Sequence, residues 1–251
     1  MQTQYFNAVE DARTVEAYEI SYDLTPITED NPNLIWENGV VGSRLLVVTW
    51  LDDAGQYYKC SNPGGCSGNT SCIEGGECPN YKWDSWVTVV PEMKTFFSMT
   101  QPDPLRIAQL LGLPPEVASV DGSGGYKYML EMWVSPQDLF RPCPDTEISD
   151  SVCETELPIN SPMIPDKIMA TSGPDYGAFM AYPDWFNNQT HYTYTLDSDP
   201  YPWTRLGYTY DWGSLNHVGL SEFVLHGRKE DDSGISVGIK SVKTTTEYFE
   251  E

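Results

Sequence analysis

Carboxylates are the most abundant ionisable groups in this chain. It carries 37 Asp and Glu against 14 Lys and Arg, a net charge of −23. Two carboxyls sharing one cleft can cleave a glycosidic bond, one as acid and the other as base or nucleophile. Glu131 is the leading candidate, because it lies inside the apolar run Tyr126–Val134, where burial would raise its pKa toward general-acid duty. Asp211 and Glu222 are its candidate partners. The plainer reading of Glu131 is a strand residue that faces solvent or pairs with Lys127. Asp145, Glu147 and Asp150 crowd one loop and could offer oxygens to Ca²⁺, the one cofactor the sequence suggests. No EF-hand spacing accompanies them, so a solvated acidic loop is the simpler account. A Ser-His-Asp set from Ser214 or Ser221 with His217 and Asp211 exists by residue type alone. There is no G-x-S-x-G elbow, no H-E-x-x-H and no Gly-rich phosphate loop.

The second resource is aromatic. Ten of the 32 residues from Tyr182 to Gly213 are Phe, Trp or Tyr, so this stretch is either core or a surface that grips something flat. His191–Leu196 and Trp203–Trp212 both alternate, which predicts a hairpin with Tyr192, Tyr194, Leu206, Tyr208, Tyr210 and Trp212 in its core. Tyr182, Trp185, Tyr201 and Trp203 fall at the entrance and tip, among Pro, Asn and Asp. They are the candidate ligand-binding residues, able to stack on a sugar face while an OH or NH bonds its hydroxyls. Arg205 shares a hairpin face with Asp211; a cross-strand ion pair or a polar groove would use both. Arg141 reads as a structural clamp on acidic neighbours such as Asp145.

Six cysteines fall in two groups: Cys60, Cys66, Cys72 and Cys78, then Cys143 and Cys153. Five residues separate each neighbour in the first group, which does not match the tight pairs of zinc sites. Disulfides are the better reading, with nearest-neighbour pairing the simplest of three arrangements for the first four. They imply an oxidising compartment, so the protein is expected to be secreted or periplasmic. The opening MQTQYFNAVEDA lacks a basic and apolar leader, so an exported form would be a mature one.

The segments WVSPQDLFRPCPD and PWTRLGYTYDWG, the latter followed by GLSEFVL, resemble a combination found in uncharacterised bacterial secreted proteins. The resemblance spans about the last half of the chain. It implies export and a shared fold, and it carries no activity.

These residues need elements to hold them. Ala17–Leu24 alternates as a strand with one wet face. Arg44–Leu51 (RLLVVTWL) is apolar on both faces, so it should be a central, buried strand. Asp52–Lys82 reads as a Cys-rich loop insertion. Trp86–Val90, Tyr126–Val134, Glu222–Leu225, Ile235–Lys240 and Lys243–Phe249 read as further strands. One short helix is expected, capped by Asp103, opened by Pro104 and closed by Gly112. The fold class is therefore mainly β: a single domain over residues 1–251, an antiparallel sandwich or closed sheet with long disulfide-tied loops. The acidic balance argues against nucleic acid, and no apolar run is long enough to insert in a membrane. The expected function is a non-enzymatic binding or surface protein whose partner is a glycan or cell-surface ligand. A carbohydrate-directed hydrolase and a structural envelope or appendage component are the alternatives.

Overall fold

The computed structural model describes residues 1–53, 55, 58, 72–118, 125–157, 167–171, 173–195 and 200–250. Its strands are β1 (Leu45–Leu51), β2 (Glu77–Tyr81), β3 (Ser85–Val89), β4 (Tyr128–Val134), β5 (Leu139–Phe140), β6 (Ile168–Met169), β7 (Phe179–Met180), β8 (Tyr208–Tyr210), β9 (Val218–Ser221), β10 (Phe223–Leu225) and β11 (Ile235–Thr244). Its helices are α1 (Gln2–Ala12), α2 (Glu92–Phe96), α3 (Pro104–Leu110), α4 (Tyr182–Thr193) and α5 (Thr245–Phe249). Seven strands form one sheet in the order β2-β11-β4-β1-β3-β10-β5, with every neighbouring pair antiparallel. The fold is mainly β, as expected. The sheet does not close, however: β2 and β5 are its edges. β6–β7 and β8–β9 form two small sheets, and β9 packs against β3.

Both faces of the large sheet are dry along its central strands, β1 and β4. Leu45, Val47, Val89, Leu130, Met132 and Ile239 share one face, covered by Ile27, Leu34, Trp36 and the Cys72–Cys78 disulfide. Leu46, Val48, Trp50 and Met129 share the other, covered by Met93 of α2, Ile107 and Leu110 of α3, and Tyr248 and Phe249 of α5. The Cys143–Cys153 disulfide ties the second loop as expected. Cys60 and Cys66 lie outside the described residues.

α3 obeys its sequence signals. The Asp103 carboxylate accepts from the Leu105 N–H at 2.8 Å, and Gly112 turns the chain with a φ of +67°. Four expectations fail. The predicted hairpin is not there: Tyr182–Thr193 is helix α4, and β8 pairs with β9 instead. The burial of Tyr182, Trp185, Phe186, Gln189 and Thr193 follows helical spacing, with Pro183 in the first turn. The alternation seen from His191 onward was the tail of that stripe; Leu196 lies outside the described residues. Ala17–Leu24 is not a strand: Ala17–Glu19 is a 3₁₀ turn, and Tyr18 and Tyr22 are exposed. Lys243–Phe249 ends β11 and then coils into α5, where Thr244 and Glu247 form a capping box. The single short helix becomes five among the described residues. One of them, α1, buries Tyr5, Ala8, Val9 and Ala12 at spacings of three and four.

Tyr182 and Trp185 are thus core residues, not a ligand platform. The Tyr182 OH donates to the Cys143 carbonyl at 2.6 Å, and Trp185 packs edge-on against Phe140 at 5.4 Å. Trp185→Ala should lose about 3–5 kcal/mol in a urea unfolding curve; a midpoint unmoved from wild type would return Trp185 to the surface.

Candidate functional site

The chain passes from a small sheet into the large one through a single residue. β9 ends at Ser221, β10 begins at Phe223, and Glu222 lies between them. Its N–H donates to the Gly207 carbonyl at 2.9 Å, holding the crossing against the entry to β8. Strand alternation then sends Phe223 and Leu225 into one core and leaves Glu222, Val224 and His226 on the opposite face. Val224 pairs with Trp86, so Asp84, Trp86 and Thr88 share that face.

A partly open cavity of about 440 Å³ lies where the two sheets diverge. Val48 and Trp50 of β1 and the β3 residues form its floor. Its walls come from Leu111 and Leu113 beyond α3, Gln189 of α4, Tyr201–Trp203 and the whole of β8. Trp86 stands nearly perpendicular to Trp203, at 87° and 5.8 Å, and to Tyr201, at 81° and 6.4 Å. Gln189 donates its amide to the Tyr201 OH at 3.0 Å. Burial pushes that phenol up to about 12.

Two carboxyls line the cavity. Glu222 is half-buried, but its Oε2 is shut from solvent and has no hydrogen-bond partner among the described residues. That burial pushes the carboxyl up to about 8, so it is mainly a neutral acid at pH 7. Asp84 differs: its Oδ1 accepts from the Gly227 N–H at 2.9 Å and lies 3.3 Å from His226 Nδ1. Phe223 pairs with Val87 and Leu225 with Ser85. Glu222 and Asp84 are therefore offset by four residues along the strands, about 13 Å. Glycosidase pairs stand about 5–9.5 Å apart.

Of the sequence candidates, Glu222, Tyr201 and Trp203 meet at this cavity. The others are used elsewhere. Glu131 is buried and accepts from the Ser241 hydroxyl at 2.6 Å and from Lys240 at 3.2 Å, not from Lys127. Asp211 takes both arms of Arg106, at 2.8 and 2.6 Å, and the Gly213 N–H at 3.0 Å. The expected Arg205–Asp211 pair is replaced: Arg205 donates to the carbonyls of Ala12 at 2.7 Å and Arg13 at 3.0 Å, fastening the end of α1. His217 faces Tyr210 and Asp11, and the Ser221 hydroxyl accepts from Thr25, so no triad assembles.

The acidic loop turns its carbonyls inward onto the fully buried Arg141. Its guanidinium donates to Asp150 O at 2.8 Å and Glu147 O at 3.1 Å. Asp145 and Asp150 use their carboxylates on the N–H groups of Glu147 and Val152, and Glu147 takes the Ser149 hydroxyl. Arg141 is a clamp, but on carbonyls and not on the Asp145 side chain. Among the described residues no three His, Cys, Asp or Glu side chains are grouped to hold a metal ion.

Trp86, Asp84 and Gln189 escaped the sequence reading. Trp86 looked like one more apolar strand residue, and nothing local to it reports that the facing sheet swings away. Comparison of the chain with protein-family models, curated proteins and solved structures found no match.

Glu222 sets a pH dependence. Its folded pKa lies above its unfolded value, so the folded state binds the proton more tightly. That stabilisation is full below the unfolded pKa and is lost as pH rises through about 8. Wild type should lose more thermal stability than Glu222→Gln between about pH 5 and 9. Parallel Tm profiles for the two proteins would contradict a buried neutral acid.

Proposed function

We propose that this chain is an exported, non-enzymatic binding protein, and that its site is the aromatic cavity at Glu222. The observation that carries this reading is the Glu222 carboxyl, whose Oε2 is buried against an aromatic wall without a partner among the described residues. Such a group costs about 1–3 kcal/mol when buried unsatisfied, a cost that a ligand's polar atom removes. Trp203 adds a second buried polar atom, its indole N–H, without a partner among the described residues. A volume of about 440 Å³ suits a compact ring-bearing molecule, including the terminal ring of a glycan, better than an extended chain.

Export is supported by the two disulfides, which persist in oxidising compartments. No described helix is long and apolar enough to cross a membrane. The hydrolase alternative draws no support from carboxyls offset by about 13 Å. A purely structural role accounts for Tyr182 and Trp185 but leaves the cavity and its acid unused.

Isothermal titration with a panel of methyl glycosides and small neutral and charged ring compounds tests the site. A member of the panel should bind saturably, and Trp86→Ala should weaken it about tenfold or more, with Glu222→Gln weakening it less. A folded wild-type protein that binds nothing in the panel, or a bound compound indifferent to both substitutions, removes this cavity as the site.

A further inference from the structure

We infer that the occupant of the cavity is an organic cation, a ring-bearing amine or ammonium ion held by aromatic faces and by the carboxyl of Glu222, with Asp84 adding negative charge further along the same wall. This rests on the cavity being the binding site. The first argument is the charge of the wall. Among the described residues that line it, Asp84 and Glu222 are the acids, and there is no Lys, Arg or His. An anionic ligand would meet two carboxyls and no counter-charge.

The second argument is the aromatic geometry. The face of an indole or phenol ring is electronegative and attracts a cation within about 6 Å. Trp86 meets Tyr201 and Trp203 almost at right angles; Trp203 is itself buried, so the half-buried Trp86 and Tyr201 are the rings that present surface to the cavity. A desolvated cation over such rings gains electrostatic attraction to their faces, where a neutral group of the same shape gains only contact.

The third argument is what each carboxyl lacks. Asp84 already has the Gly227 N–H and a nearby imidazole. Glu222 Oε2 has no partner among the described residues. An ammonium N–H that draws the carboxyl round toward the cavity supplies that hydrogen bond, and its charge favours the carboxylate over the neutral acid. The Glu222 proton then leaves to solvent, and the neutral acid becomes one half of an ion pair. The net charge of −23 draws cations toward the protein from a distance.

The test is titration calorimetry with 2-phenylethylammonium chloride and with 2-phenylethanol, which share a ring and a chain length but differ by one charge. The cation should bind about tenfold tighter or more. Glu222→Gln and Asp84→Asn should each shrink that preference; Asp84→Asn keeps an oxygen for the Gly227 N–H and so preserves the fold. Added NaCl should weaken the cation and leave the alcohol unchanged. Equal affinities, or tighter binding of the alcohol, would overturn the cation assignment and leave the cavity standing as the site. So would a neutral glycoside that binds where both probes fail. A folded protein that binds neither probe nor any glycoside would overturn both readings.

Discussion

Strands β1 and β4 lie side by side in the middle of the large sheet, and neither has a wet face. Everything else in the chain follows from the need to cover both sides. The cover has two characters. Loops and the Cys72–Cys78 bridge close one side. Helices and a two-stranded sheet close the other. A chain with 14 basic side chains against 37 acidic ones has few cations to spend on fastening these pieces. The arginines are placed accordingly. Arg44 joins Glu37 to Glu77 across the loop cover, Arg106 joins α3 to Asp211, Arg205 holds α1, and Arg141 gathers the second disulfide loop. Coulombic attraction contributes little to any exposed pair. The buried ends, Asp211 and Arg141, matter because leaving either without its partners would strand polar groups in the core.

The cavity exists because one part of the cover is itself a sheet. Helices can settle into a dry face closely. A separate two-stranded sheet has its own twist and direction, and where it departs from β3 a wedge opens. The wedge is lined by what each side presents: rings from β3, β8 and the segment before it, and a carboxyl from the crossing point. The acid and the aromatic wall therefore have a common origin in the divergence of the two sheets.

The sequence was legible where one element decides its own pattern. LLVVTWL needs no neighbour to declare itself a central strand, and Asp103, Pro104 and Gly112 mark α3 from its own ends. It misled where two periods overlap. HYTYTL alternates, yet the residues before it, Tyr182, Trp185, Phe186 and Gln189, set a helical stripe that runs through it. Longer-range packing won over a short alternation. The site was half legible. Glu222, Tyr201 and Trp203 were singled out for separate reasons, one as a possible acid and two as possible ligand rings. Their meeting could not be read, because it depends on β10 pairing with β3 and on β9 pairing elsewhere. Glu131 looked the most promising acid and Asp211 as good a partner as Glu222, and only their own partners, Ser241, Lys240 and Arg106, mark them as structural.

The one-residue crossing at Glu222 has a consequence for how this protein can vary. Strand side chains alternate with a period of two, so the crossing fixes parity as well as position. Adding or deleting one residue between Ser221 and Phe223 would rotate one strand by half a period relative to the other. Either Phe223 and Leu225 would leave their core, or β9 would lose its register with β8. Point substitutions at the crossing change only the chemistry of the wall. Length changes there break two sheets at once. Variation at this spot is therefore confined to the identity of the side chain, and the cavity can acquire a new preference without the fold being altered.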